Sequence, residues 1–509
     1  MNFLRIESFK RGIVVSTIFN LLAKGLLFLV SLLVAFYFGS TNQTDVYFYA
    51  YNVVVLISGF FTMLNSTVLI PEAMRIRIHS EQDSSRFLVF FIYVYFVIAI
   101  LLTLVFFISP VKTFSTISNF DLATLEDHKL ILQMAIPLIL LMTLTNLFTE
   151  ILISYRFFSI TMIVSIVNSI ISISFLLLFR TEWSISSLLI GLLAGFSLNL
   201  VVLLILMKKY LKWDFKFVLF PVGRRIWRNV GLAQAGNITT VLNSYVPLFL
   251  LSGFNPGIIT ALTFAQQLSV LPNSLLTNHF TSVAAIKFNE LYSRKAFVDL
   301  NNIFISTAEF LIFILMPVSG ILFFFSEEIL TIVFKHGRFD ETGVTNAALF
   351  LKFLGLQLPL LVINNLFSRL LMAGHKVAQS FLYQIAFNIV LVIMLFGGIQ
   401  VLGIVGYPLA LIIVYFLNIF ACYYLEKYFF DIIEYNALLK KFFKILLVNA
   451  ILIFVIHLVV EAIGVQDYIF KLVIAGSAYI IGLHFVNQWL HLNDTALAFA
   501  NKFFAPNRS

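Results

Sequence analysis

Apolar residues in this chain come in long unbroken runs rather than in alternation or in helical stripes. Runs of about twenty, the length a helix needs to cross a bilayer, recur about fourteen times. They cover approximately 17–38, 47–70, 87–109, 131–154, 158–179, 184–207, 231–252, 258–284, 304–325, 346–372, 378–397, 401–425, 442–462 and 468–490. Short polar segments separate them. Only helices or closed barrels satisfy the backbone in lipid, and runs this long suit helices. The pattern therefore predicts an all-α polytopic membrane protein with about 14 transmembrane helices. The 47–70 and 258–284 runs carry several polar residues and fit a simple span least well.

The pattern also repeats. Asn146-Leu147-Phe148-Thr149-Glu150-Ile151-Leu152 recurs as Asn365-Leu366-Phe367-Ser368-Arg369-Leu370-Leu371. Ala50 to Val68 aligns with Ala265 to Val283 in the same order and at nearly the same offset, with Asn52 opposite Gln267 and Thr62 opposite Thr277. The chain thus reads as two six-helix lobes related by a parallel internal repeat, plus two extra C-terminal helices. The divisions are 1–207 for the N-lobe, 208–230 for a basic cytoplasmic linker, 231–425 for the C-lobe, and 426–509 for the last two spans and a cytoplasmic tail. Two similar lobes can rock about a site between them, which is the architecture of a transporter.

Composition agrees: 61% of the 509 residues are hydrophobic and 11% are charged, against about 45–50% and about 25% in soluble domains. The single cysteine, Cys422, cannot form an internal disulfide. The first apolar run is too long for a signal peptide and reads as a retained span. The net charge of +9 would suit nucleic acid if it were patchy, but it follows alternate loops instead. One set contains the basic amino end (Arg5, Lys10, Arg11), Arg75, Arg77 and Arg86, the dense stretch from Lys208 to Arg228, and the basic residues between 427 and 444, with Lys502 and Arg508 in the tail. The other set holds only Lys112, Lys129, Arg180, Lys335, Arg338 and Lys471. Excess Lys and Arg mark cytoplasmic loops, so both termini are expected in the cytoplasm. The 208–230 stretch is expected on the anionic inner leaflet, and no nucleic-acid partner is expected.

Ionisable groups inside spans are costly and are functional candidates. Lys24 lies about two turns into the first span and Asp45 at the outer start of the second. Glu150 and Arg369 occupy equivalent repeat positions with opposite charge. They are gate candidates that could latch one access state across the pseudo-two-fold, or side chains that snorkel to the interface. Glu309 in span 9 reads the same way. Neutral polar residues cluster on span 2 (Asn52, Asn65, Ser66, Thr67) and span 8 (Gln266, Gln267, Asn273, Asn278, His279), as a sugar-lined cavity or as helix–helix hydrogen bonding. Gln384 and Asn388, at i and i+4, could help hold a cation, although packing is the commoner use.

There is no Gly-rich phosphate loop ending in Gly-Lys-Ser/Thr, so ATP does not drive the chain directly. No Cys/His cluster suggests a metal, and no cofactor is expected beyond possible Na⁺ or H⁺ coupling. The acidic residues of the two longest outer loops, Asp121, Glu126, Asp127, Glu327, Glu328, Asp340 and Glu341, are expected on solvated loop faces.

Several segments resemble the MurJ/MviN lipid II flippase family of the multidrug/oligosaccharidyl-lipid/polysaccharide exporter superfamily. They are Phe38-Gly39 followed by Thr44-Asp45-Val46-Tyr47-Phe48, then Phe264-Ala265-Gln266-Gln267-Leu268 with Leu271-Pro272, then Met316-Pro317-Val318-Ser319-Gly320. The most specific is Val333-Phe334-Lys335-His336-Gly337-Arg338-Phe339. The resemblance implies an alternating-access flippase, not an enzyme, that moves a polyprenyl-diphosphate-linked saccharide such as lipid II from the inner to the outer leaflet. It implies substrate contacts at Lys24, Asp45, Asn52 and Gln267. The family's cationic positions fall here on Lys24, Val30, Asn52 and Gln267, so one cation remains and amides replace two others. A diphosphate would have less charge-assisted binding, and Lys lacks the bidentate fork of Arg. Competing readings are a flippase for another surface-polysaccharide lipid-linked oligosaccharide, a drug/cation antiporter, a membrane polysaccharide polymerase or ligase, and a non-transporting scaffold. A monomer in a bacterial inner membrane is expected.

Overall fold

The structure, a computed structural model, describes residues 9–494, 496 and 497. Arg5, Lys502 and Arg508 of the orientation argument lie outside the described residues. Helix is their one form of regular secondary structure, with no strand among them. The chain divides into two compact units, Met1–Thr260 and Ala261–Ser509.

In the first unit the helices are α1 (Phe9–Phe38), α2 (Asn42–Leu64), a π-helical turn (Asn65–Leu69), α3 (Ile70–Arg77), α4 (Glu81–Ile108), the short α5 (Pro110–Thr116), α6 (Leu122–Asp127) and α7 (Lys129–Ala135), α8 (Leu138–Ser154), α9 (Phe158–Trp183), α10 (Ser186–Tyr210) and α11 (Arg224–Leu251). Next come α12 (Ile258–Pro272), which begins in the last residues of the first unit, a second π-turn (Asn273–Thr277), α13 (Asn278–Ser293), α14 (Phe297–Phe324), α15 (Ser326–Phe334), α16 (Glu341–Leu356), α17 (Leu358–Ala373), α18 (Val377–Leu402), α19 (Gly406–Phe429), α20 (Tyr435–Ile463) and α21 (Tyr468–Leu490).

Among the described residues, ten helical stretches are long and apolar enough to span, or eleven with the pair α16–α17, which is bent by 44°. One of the ten, Val377–Phe429, is 53 residues long. It is a helical hairpin that reverses at Gly403, whose φ is +63°. Gly398 and Gly406 meet backbone to backbone across it, so a Cβ on Gly406 would collide with the Gly398 carbonyl. Small residues let helices approach where lipid supplies no hydrophobic drive between them. Gly191 and Gly195 of α10 do the same against Ser172 and Asn168 of α9. The α11 stretch and the α12–α13 stretch are absent from the apolar set, because Arg, Asn, Gln and Thr dilute them.

In the first unit α4, α8 and α10 pack around Phe87, Phe91, Leu147, Ile151, Leu203 and Met207. The 211–223 segment has no regular secondary structure. Its Trp213 is buried beside Tyr155, and the Phe215 carbonyl accepts from Tyr93 at 2.8 Å. α11 packs on α2. In the second unit α14, α20 and α21 share a core of Phe325, Ile453, Ile456 and Tyr479. There the Tyr479 hydroxyl donates to Asn449 at 2.6 Å. Large apolar side chains remain exposed along α4 (Leu101, Leu104, Val105), α20 (Ile451, Phe454, Leu458) and α21 (Ile480, Phe485). Acyl chains are the natural solvent for such faces.

Candidate substrate site and gate

Asp45 is placed by the start of α2. Thr41 and Thr44 form a reciprocal capping box there, which satisfies two of the helix's free backbone groups. The Asp45 carboxylate is then directed at the backbone just before α12. It accepts from the Gly257 amide at 2.6 Å, the Thr260 amide at 2.8 Å and the Thr260 hydroxyl at 2.6 Å. Asp45 is 2% exposed and Thr260 is fully buried. Gly257 has φ +91°, and a Cβ there would strike the Ser40 hydroxyl, which donates to the Gly257 carbonyl at 2.9 Å. A side chain at Gly257 would thus be excluded twice, by backbone and by space. An anion at a helix N-terminus meets free amides and the positive end of the dipole. The charge of Asp45 is consumed by this knot.

Lys24 stands differently. It is half-buried on α1 between exposed apolar residues such as Leu22 and Leu27. No carboxylate in its unit pairs with it among the described residues. Asn52 is half-buried on α2, one residue beyond the stacked pair Tyr47–Tyr51. In the second unit Gln266 donates to the Tyr407 hydroxyl at 3.0 Å, whereas the neighbouring Gln267 has a buried Oε1 with no hydrogen-bond partner.

The polar clusters of spans 2 and 8 coincide with the two π-turns, each of which opens on Asn-Ser. Asn65 is fully buried, and both its amide atoms lack partners. In the second turn Asn273 Oδ1 and Thr277 Oγ1 lack partners. Asn278 and His279 are exposed. An unmet buried polar atom costs about 1–3 kcal/mol, and π-turns frequently mark functional sites. Nothing in the hydrophobic periodicity announces the turns, since one extra residue leaves an apolar run apolar.

Glu309, a gate candidate, is 12% exposed and bonded to Lys441 of α20 at 2.6 Å. It braces α14 within its own unit. Glu150 is half-buried on α8 and Arg369 exposed on α17, each without a charged partner among the described residues of its unit. Gln384 is exposed while Asn388, one turn on, is buried. No group of His, Cys, Asp and Glu able to hold a metal occurs among the described residues. Sequence reasoning missed two charge clusters. Glu72 of α3 pairs with Arg75 and, at 3.4 Å, with Arg225 of α11. Glu328, expected on a solvated loop, is instead buried against Lys471 at 2.6 Å. The signal for each lay in a basic residue far along the chain, which spacing does not reveal.

Long apolar helices in two compact units, with polar groups retained inside them, define a multi-pass membrane transporter. The fold is that of known transporters. A structure of the lipid II flippase MurJ in an inward closed conformation superposes with a TM-score of 0.76 at 20% identity, covering 94% of this chain and 99% of that one. An inward-facing multidrug resistance MATE family transporter of the MOP superfamily gives 0.63 at 13% identity, covering 84% and 96%. The profile of the family described as lipid II flippase MurJ matches residues 34–476, and the chain belongs to that family. It is a flippase-class transporter and not an enzyme. A probable lipid II flippase MurJ of Buchnera aphidicola subsp. Acyrthosiphon pisum is 22% identical over 365 residues, 66% of this chain and 68% of that protein.

Proposed function

We propose that this chain carries a polyprenyl-diphosphate-linked saccharide of the lipid II type from the inner to the outer leaflet by alternating access. The observation that carries the reading is Lys24, a half-buried ammonium in an apolar helix with no carboxylate partner among the described residues of its unit. A cation left uncompensated in a span is expensive unless an anion visits it, and a diphosphate is such an anion. Asn52 then contacts the sugar or phosphate oxygens through its amide, and the unmet carbonyl of Gln267 accepts from a sugar hydroxyl. Asp45 acts by holding the backbone at Gly257 and Thr260 in place. Glu150 and Arg369 form the latch of one access state. Charge in the alternate loops supports cytoplasmic termini and a bacterial inner membrane. The protein acts as a monomer on an anionic inner leaflet. The driving force is the membrane potential or a gradient of Na⁺ or H⁺.

A second reading is favoured by one observation: amides stand at Asn52 and Gln267 where cations would grip a diphosphate more tightly. The cargo would then be another lipid-linked oligosaccharide, recognised more through its glycan. The test is complementation. A bacterium depleted of its lipid II flippase expresses this chain, and lipid II reaching the outer leaflet is measured. Rescue by the wild type, lost in Lys24→Ala at equal membrane abundance, is expected. A well-expressed wild type that does not rescue overturns the lipid II reading in favour of another glycan.

A further inference from the structure

At one end of the second unit, α14, α15, α16, α20 and α21 border a cavity of about 390 Å³, within the range of about 300–1,000 Å³ usual for ligand pockets. It shares no residue with the substrate and gate positions above. α20 and α21, read in the sequence as lying outside the internal repeat, supply His457, Glu461 and Lys471 to it.

The polar wall carries three carboxylates and two ammonium groups. Lys471 donates to Glu328 at 2.6 Å and is also bonded to Glu461. Lys352 stands 3.6 Å from Glu327. Glu328 and Lys471 are sealed, at 11% and 12% exposure, while Glu327 and Glu461 remain 59% and 50% exposed. One negative charge is therefore left over, and it sits where a ligand can reach it. Ser326 is fully buried, lines the cavity and has a hydroxyl without a partner. His457 lines it too, and its buried Nδ1 has no partner. Two unmet polar atoms on one cavity wall are a strong demand for a guest with hydrogen-bonding groups.

Phe323 and Phe324 give the cavity an aromatic part, with Phe324 packed against His457 at 5.1 Å between ring centroids. Phe324 lies 6.3 Å from Phe454 of α20, centroid to centroid. Phe454 is 50% exposed, and the exposed Val455, Leu458 and Val459 flank it on α20. The cavity thus leads from charged groups onto an apolar face of a spanning helix. On the orientation proposed above, this end is the outer one.

We infer that the cavity holds the headgroup of an aminophospholipid of the outer leaflet. The primary ammonium sits between Glu327 and Glu461 and neutralises the surplus charge. The phosphate oxygens accept from Ser326 and lie against the lysines. The acyl chains follow Phe324 and Phe454 along α20. A choline headgroup has no N–H to donate. A glycerol headgroup is neutral, so it leaves the phosphate's negative charge uncompensated beside a wall already negative. The site is therefore selective as well as occupied.

The test uses the full chain, purified in detergent, delipidated and titrated with short-chain phosphatidylethanolamine, phosphatidylcholine or phosphatidylglycerol, with bound lipid counted by native mass spectrometry. Phosphatidylethanolamine is expected to bind about tenfold more tightly than either competitor. Glu327→Gln, at an exposed position that spares the fold, is expected to weaken it about threefold to fivefold, and Ser326→Ala to weaken it as well. Equal binding of the three lipids, or binding unchanged in both variants, overturns the site. Free phosphoethanolamine binding as tightly as the lipid overturns the assignment to a membrane lipid.

Discussion

Asp45 and Lys24 are both charged residues set in apolar helices of the same unit, yet the chain treats them in opposite ways. Asp45 is sealed, and its carboxylate accepts from its own fold, from the Gly257 and Thr260 amides and the Thr260 hydroxyl among others. Lys24 is half-buried, and among the described residues no carboxylate of its unit answers it. A charge in a span is thus not in itself a binding site. What separates scaffold from site is whether the local chain has already used the charge, because a satisfied ion has nothing left to offer a guest.

This contrast can be broken most forcefully at Asp45. Asp45→Ala leaves the amides of Gly257 and Thr260 without their buried acceptor. A loss of about 3 kcal/mol of stability is expected, read as a clear drop in the thermal unfolding midpoint of the purified protein, with transport lost as a consequence. Lys24→Ala should do the reverse. Transport in the complementation assay falls at least tenfold, while stability stays within about 0.5 kcal/mol of wild type. Lys24→Arg should transport at least as well as wild type, since a guanidinium grips a diphosphate bidentately. If Lys24→Ala unfolds the protein, the contrast collapses and Lys24 is scaffold too.

Two smaller changes sharpen it further. Asn65→Leu replaces a buried amide with two unmet atoms by an apolar group of similar size. Stability should rise by about 1–2 kcal/mol while transport declines, the signature of a residue retained for function. Glu309→Gln removes an ion pair whose partner, Lys441, is 37% exposed and can turn to water. A loss of about 1 kcal/mol or less is expected, with transport little changed, which would separate a brace from a gate.

Much of the fold was legible. Runs of about twenty apolar residues located most of the long helices, because in lipid the backbone has few other ways to satisfy itself. Breaks inside runs were less visible. The 346–372 run hides the bend between α16 and α17, and the 47–70 run hides a π-turn, since neither changes hydropathy. The candidate site was legible residue by residue and not in its pairings. Lys24 and Asp45 stand out as charges in apolar text, but nothing near Asp45 in sequence points to Gly257 or Thr260. The same holds for Lys471, whose partners Glu328 and Glu461 come from two other helices.

The π-turn at Asn65–Leu69 has a consequence beyond its unmet amide. It lies within a helical stretch from Asn42 to Arg77, so it works as a phase shifter. Each residue of an α-helix advances the face by about 100°, and one residue accommodated in a wider turn sets the rotational phase of all that follows. Regularising the turn to α-helix with no residue removed would swing α3 by about a quarter-turn. Glu72 would then point away from Arg225, now 3.4 Å distant. The irregularity in the middle of the stretch thus decides which way its charged end faces.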